Sequence, residues 1–210
     1  MRKRALIIAS LALVAFAGVA TAASATTIKF TTGATVTAGS TISGSLKAGT
    51  TAHLEGGSAG DIDCSSSSFG GTLDNNGLPS VTGTLTSLTF TSCTDTIPFV
   101  TVSSVTTNVS STNTKTATAT YAGANSTFAI AGVVVTVTFS SGSTCIYQPT
   151  GGTATATHNS GTTPWNNEYF FDRVPVTKTG GTFGFCPSSN VTWTATYLAT
   201  SGGTGITIQL

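Results

Sequence analysis

The stretch between Cys64 and Cys93 constrains the fold of this chain more than any other part of the sequence. Two runs with strand-like composition, residues 64–73 and 81–93, flank a polar turn at Asn76-Gly77. Asn-Gly is a strong turn signal for a β-hairpin, and alternating apolar and polar residues favour strands. A cysteine lies at each end of this unit. The sequence therefore predicts a hairpin that a disulfide can close.

The same period-two alternation continues through the rest of the chain after Thr26, and no stretch has the period of a helix. The clearest case is a strand in which one side carries Val191, Trp193, Ala195 and Tyr197. Turn residues recur at intervals of roughly 8–15 residues, which is typical of all-β domains. We therefore expect residues 26–210 to form one β-sandwich domain of about a dozen antiparallel strands.

One irregularity lies inside the predicted hairpin. Val81 and Leu85 share one parity of the alternation, whereas Leu88 and Phe90 take the other. A bulge that adds one residue to a strand exchanges the two faces beyond it. The sequence therefore predicts a bulge near Thr86-Ser87.

Three further segments carry expectations about the strands. Gly39 and Gly44 are interpreted as breaks between strands. The apolar run Val133–Val137 predicts a central strand that is buried on both faces. Residues 103–114 are rich in Ser, Thr and Asn, and a division of the domain into two lobes would fall there.

Residues 1–25 are predicted to be a secretory signal peptide. Arg2-Lys3-Arg4 is basic, residues 5–20 are apolar, and small residues at 20–25 form two candidate cleavage sites. The alternative is a membrane anchor, but the apolar run is shorter than the roughly 20 residues that a spanning helix needs. No later run is long enough either, so we expect no membrane span in the mature chain.

Cleavage after residue 25 would leave five basic and seven acidic residues, a net charge of −2. This balance argues against a nucleic-acid partner, because phosphate contacts need clustered Lys and Arg. Charged residues make up only 7% of the whole chain, against the usual value of about 25%. Thr and Ser hydroxyls supply the polarity instead, and β-branched Thr favours strands over disorder.

The four cysteines, at positions 64, 93, 145 and 186, are expected to form two disulfides in a secreted protein. The sequence alone allows three pairings. We favour Cys64–Cys93 and Cys145–Cys186, because each pair brackets a compact segment rich in hairpins. A metal site is not indicated, since no two cysteines have C-x₂-C spacing.

Two patterns resemble chemical sites but are better explained otherwise. Residues 56–60 match the G-x-S-x-G pattern of a hydrolase nucleophile, which requires a strand, a turn and a helix, and no helix is predicted here. Asp61 and Asp63 could offer carboxylates to calcium, but a calcium site needs six or more oxygens. His158 lies in a Thr-Ala alternation and is expected to be exposed. We therefore expect no enzyme activity, no metal and no cofactor.

Residues 165–173 differ most from the rest of the chain in composition. They contain four of the 17 aromatic residues and three of the 12 charged residues that follow position 25. Aromatic rings beside amide and charged groups suit a sugar or a partner surface. The alternative is a segment whose rings complete the core. The candidate binding residues are Trp165, Glu168, Tyr169, Asp172 and Arg173.

The first cysteine unit carries a resemblance to a known group of proteins. The residues concerned are Asp63-Cys-Ser-Ser-Ser-Ser, Gly71-Thr-Leu and the run from Gly83 to Thr94, with Cys186-Pro187 and Val191–Tyr197 fitting the second half. The chain resembles uncharacterised secreted Thr/Gly-rich four-cysteine proteins of actinobacteria. That resemblance implies an Ig-like β-sandwich and an extracellular location, and it carries over no catalytic residues.

Together these observations predict a secreted, non-catalytic protein that binds or builds structure in the extracellular space or at the cell envelope. The candidate partners are cell-wall polysaccharide or another envelope protein. The alternative is a secreted carbohydrate-binding module that uses the aromatic segment at 165–173.

Overall fold

The computed structural model describes residues 25–77, 80–160, 166–184, 186–188 and 190–210. Within these ranges the chain forms fourteen β-strands, three short 3₁₀ turns and no α-helix. Nowhere in the described chain is there a helix with the length and apolarity needed to cross a membrane. The strands are β1 Thr27–Phe30, β2 Thr41–Leu46, β3 Ala52–Glu55, β4 Ile62–Asn75, β5 Val81–Asp95, β6 Val102–Thr107, β7 Lys115–Thr120, β8 Ser126–Ala131, β9 Val135–Phe139, β10 Thr144–Pro149, β11 Thr153–His158, β12 Glu168–Gly180, β13 Thr192–Ser201 and β14 Thr204–Gln209.

Every strand pairing is antiparallel, and the pairings close on themselves twice. What we call the first ring follows the order β2, β4, β5, β7, β8, β11, β12, β13 and returns to β2. The second ring follows the order β3, β4, β5, β6, β9, β10, β12, β13 and returns to β3. Apolar side chains fill both interiors. The predicted all-β sandwich of antiparallel strands is confirmed, while its assignment to the Ig-like class stays a prediction.

Four long strands, β4, β5, β12 and β13, run through both rings. Two bulges keep their apolar side chains pointing inward along the whole length. In β5, Gly71 lies opposite Leu85 and Gly70 opposite Ser87, so Thr86 is the added residue. Leu85 and Leu88 are consequently both buried. The bulge that the alternation predicts near Thr86-Ser87 is therefore present.

The second bulge lies in β12, where Asp172 and Arg173 together stand opposite Thr194 of β13. Phe171 before the bulge and Val174 after it are both buried. Arg173 adopts a positive φ of 45°, which is the left-handed conformation that bulges often use.

Both predicted disulfides are confirmed. Cys64 and Cys93 lie directly opposite each other in β4 and β5. The other bond joins Cys145 in β10 to Cys186, which follows β12. No cysteine of the chain is free.

Three segments differ from or refine the sequence expectations. Gly44 lies inside β2 rather than between strands. The run Val133–Val137 is not one strand buried on both faces: β9 begins at Val135, and its buried side chains, Val137 and Phe139, lie on one face. Residues 103–114 contain most of β6, and the remainder leads the chain from the second ring to the first.

Candidate functional site

The segment at 165–173 runs along the first half of β12, with side chains pointing alternately into and away from the first ring. Glu168, Phe170, Asp172 and Arg173 point outward. Trp165 lies outside the described residues. The candidate residues therefore do not form one aromatic face.

Tyr169 and Phe171 belong to the core, where their side chains are 3% and 1% exposed. The Tyr169 ring stacks on His158 with centroids 4.6 Å apart and meets Phe128 edge-on at 5.6 Å. Its hydroxyl donates to the carbonyl of Ile206 at 3.4 Å, and burial raises the pKa of this phenol above its usual value. Tyr169 therefore serves packing, and its ring is not available to a ligand on the surface.

The β12 bulge turns both Asp172 and Arg173 toward solvent. Arg173 donates from its backbone N–H to the Thr194 hydroxyl at 3.1 Å, and this bond helps to hold the bulge in place. Its guanidinium reaches Glu55 of β3, with Nη2 and Oε2 3.1 Å apart. The Arg173 side chain remains 67% exposed, so it can contact a further group.

Neighbouring strands extend this surface. A row across β13, β3, β4 and β5 pairs Thr194 with His53, His53 with Asp63 and Asp63 with Thr94. His53 Nδ1 lies 2.9 Å from Asp63 Oδ1. We call the outward surface of these strands the polar face, whose charged and ionisable members are Lys47, His53, Glu55, Asp63, Glu168, Asp172 and Arg173.

All three ion pairs found among the described residues lie on the polar face. The third pair joins Lys47 Nζ to Glu168 Oε1 at 2.7 Å. Their side chains are between 33% and 67% exposed, and pairs this exposed contribute little to stability. The face therefore gathers charge, in a chain that has little, without a large structural return. It also carries the outward row Thr192, Thr194 and Thr196 and the exposed ring of Phe170.

The other sequence patterns acquire no chemical partners in the described chain. Residues 56–60 enclose a single 3₁₀ turn, Gly57–Ala59, between β3 and β4. Asp61 accepts a bond from the backbone N–H of Gly56 at 2.9 Å. No group of three His, Cys, Asp or Glu side chains able to hold a metal occurs in the described ranges.

His158 is buried, contrary to expectation, with 1% of its surface exposed. It shares the inward parity of Ala154 and Ala156 in β11. The alternation could have predicted this, because the Thr residues between them are the exposed set.

Sequence reasoning found only the β12 part of the polar face. His53, Glu55 and Asp63 come from β3 and β4, more than a hundred residues away in the chain. The sole hint was the local density of charge at residues 53–63, because strand pairing across such a separation leaves no periodic signal.

Comparison of the chain with protein-family models, with curated proteins and with solved structures finds no match to any of them. The resemblance to the secreted actinobacterial group therefore stays a prediction.

Proposed function

We propose that this protein is a secreted, non-catalytic binding protein of the extracellular space or cell envelope, and that the polar face is its recognition surface. The observation that carries the proposal is the concentration of exposed ion pairs, Thr hydroxyls and one exposed aromatic ring on a single sheet surface. The two disulfides and the segment at 1–25 support the extracellular location.

The chemistry of the face favours a hydroxyl-rich ligand, with cell-wall polysaccharide as the leading candidate. Guanidinium, carboxylate and hydroxyl groups supply both donors and acceptors, which sugar hydroxyls need. Charge-assisted hydrogen bonds are stronger than neutral ones. Phe170, 39% exposed, adds an apolar ring against which the C–H face of a sugar can pack.

The test is retention of purified protein on insoluble bacterial cell walls, measured by depletion from solution over a range of wall concentrations. The double variant Arg173→Gln/Phe170→Ala removes the cation and the exposed ring while leaving the core rings in place. We expect its affinity to fall by about 30-fold, which corresponds to about 2 kcal/mol. Its thermal midpoint should stay close to that of the wild type.

The matched control is Lys115→Gln, which removes a positive charge from β7, away from the polar face. This variant should be retained like the wild type. Walls stripped of protein by protease separate the two candidate partners: retention that survives indicates polysaccharide, and retention that disappears indicates an envelope protein. Equal retention of the double variant and the control would contradict the assignment of the polar face.

A further inference from the structure

The second ring encloses a cavity that the polar face does not use. Its volume, counted as the space open to the centre of a water molecule, is about 70 Å³, which is room for roughly five waters. The walls come from β3, β4, β5, β6, β9, β10, β12 and β13, so the cavity lies in the interior of the ring.

The cavity opens toward solvent. Six of the lining side chains pack against the core yet are only half-buried, namely Leu54, Phe90, Val105, Val135, Val176 and Trp193. The first ring differs, because most of the residues around its own cavity, including Leu73, Val81 and Ile206, are fully buried. A small molecule can therefore reach the second ring more readily than the first.

One polar atom in this apolar wall lacks a partner. Within the described chain, Trp193 Nε1 is buried and makes no hydrogen bond. An unpaired buried donor costs free energy, and native proteins keep few of them. By contrast, the hydroxyl of Tyr147, which also lines the cavity, donates to the Pro187 carbonyl at 3.2 Å, and the Tyr197 and Ser67 hydroxyls pair at 2.6 Å.

Neighbouring rings hold the Trp193 indole in place. Its centroid lies 4.6 Å from that of Phe171, 6.3 Å from that of Phe90 and 6.5 Å from that of Tyr197. The position of the N–H group is thus fixed in advance, so a ligand need not order it.

We infer that the second ring is a binding site for a small, uncharged and mostly apolar molecule that accepts one hydrogen bond from Trp193 Nε1–H. A ketone, ester or ether oxygen on a short chain or single ring meets these requirements. A charged ligand does not, because none of the described lining residues is charged.

The test uses the full mature chain with Trp165→Phe, which leaves Trp193 as the single tryptophan. Cyclohexanone is titrated while the indole N–H cross-peak is followed by ¹⁵N NMR. We expect a saturable downfield shift of that peak. Methylenecyclohexane, which has the same ring and no acceptor, should bind at least tenfold more weakly and should not shift the peak downfield.

Two further variants locate the site. Trp193→Phe removes the donor and should weaken cyclohexanone binding about tenfold, measured by ligand-detected NMR. Val105→Phe fills the second cavity and should abolish binding, whereas Ala117→Val, which narrows the first cavity, should leave it unchanged. If Trp193→Phe does not fold, the two probes on the Trp165→Phe protein still decide. Absence of a saturable shift with cyclohexanone, or equal affinity after Val105→Phe, would overturn the inference.

Discussion

At the scale of single residues, His158 shows how burial assigns a chemical state. The Glu168 carbonyl, 2.7 Å from Nδ1, can only accept, so Nδ1 carries the proton. Nε2 therefore accepts from the Thr207 hydroxyl at 2.7 Å. Thr207 in turn lies within 3.3 Å of Gln209 Nε2, which also donates to the Ser160 carbonyl. The neutral imidazole thus completes a buried chain of hydrogen bonds.

Burial lowers the pKa of His158 below its usual value, more than the bond to the Glu168 carbonyl raises it. The unfolded chain, with a His pKa near 6.5, therefore takes up this proton more readily than the folded protein. The resulting stability is fully present above about pH 6.5 and is lost as pH falls below that value. We expect urea unfolding to give a free energy that decreases between pH 6.5 and pH 5, and to decrease less in His158→Gln. An identical slope in that variant would mean that other groups carry the pH dependence.

At the scale of strands, glycine has a packing role that its composition conceals. Gly44 in β2 lies opposite Phe69 in β4. A Cβ atom at Gly44 would lie 2.2 Å from a carbon of the Phe69 ring. The absence of a side chain at Gly44 therefore lets the Phe69 ring lie across β2, where it also meets Tyr197 edge-on at 5.4 Å.

Gly44→Ala should consequently lower the free energy of unfolding by about 1–3 kcal/mol, the usual cost of overpacking. Gly184→Ala is the matched control, because a Cβ there meets nothing within 4 Å, and it should be close to neutral. Urea unfolding measures both. Adding Phe69→Leu should recover part of the loss in Gly44→Ala, and strict additivity of the two changes would contradict the proposed contact.

At the scale of the whole molecule, ring closure addresses a difficulty that the composition creates. Exposed sheet edges invite aggregation, and proteins commonly guard them with charged residues. This chain has few charges to use. In both rings of the described structure each strand instead has hydrogen-bonded neighbours on two sides, so the rings themselves present no edge.

The four shared strands also make the two rings mechanically one unit, so we expect them to unfold together. Ile206→Ala removes a buried side chain from the first ring and should cost about 2–5 kcal/mol. In the Trp165→Phe background, Trp193 fluorescence reports on the second ring. The fluorescence midpoint should fall by as much as the midpoint from circular dichroism. A fluorescence transition that Ile206→Ala leaves in place would show that the rings unfold separately.

The sequence by itself determined the strand character of the chain, the bulge at Thr86, the inward side of Val191–Tyr197 and both disulfide pairs. Each depends on side-chain alternation along a strand or on the spacing of four cysteines, which are local properties. Only the tertiary structure decided that the strands close into two rings, that Tyr169 is core while Arg173 meets Glu55, and that Trp193 lines a cavity. Those outcomes depend on which distant strands become neighbours, and pairing across long loops is selected by the packing of the whole interior rather than by any pattern within a strand.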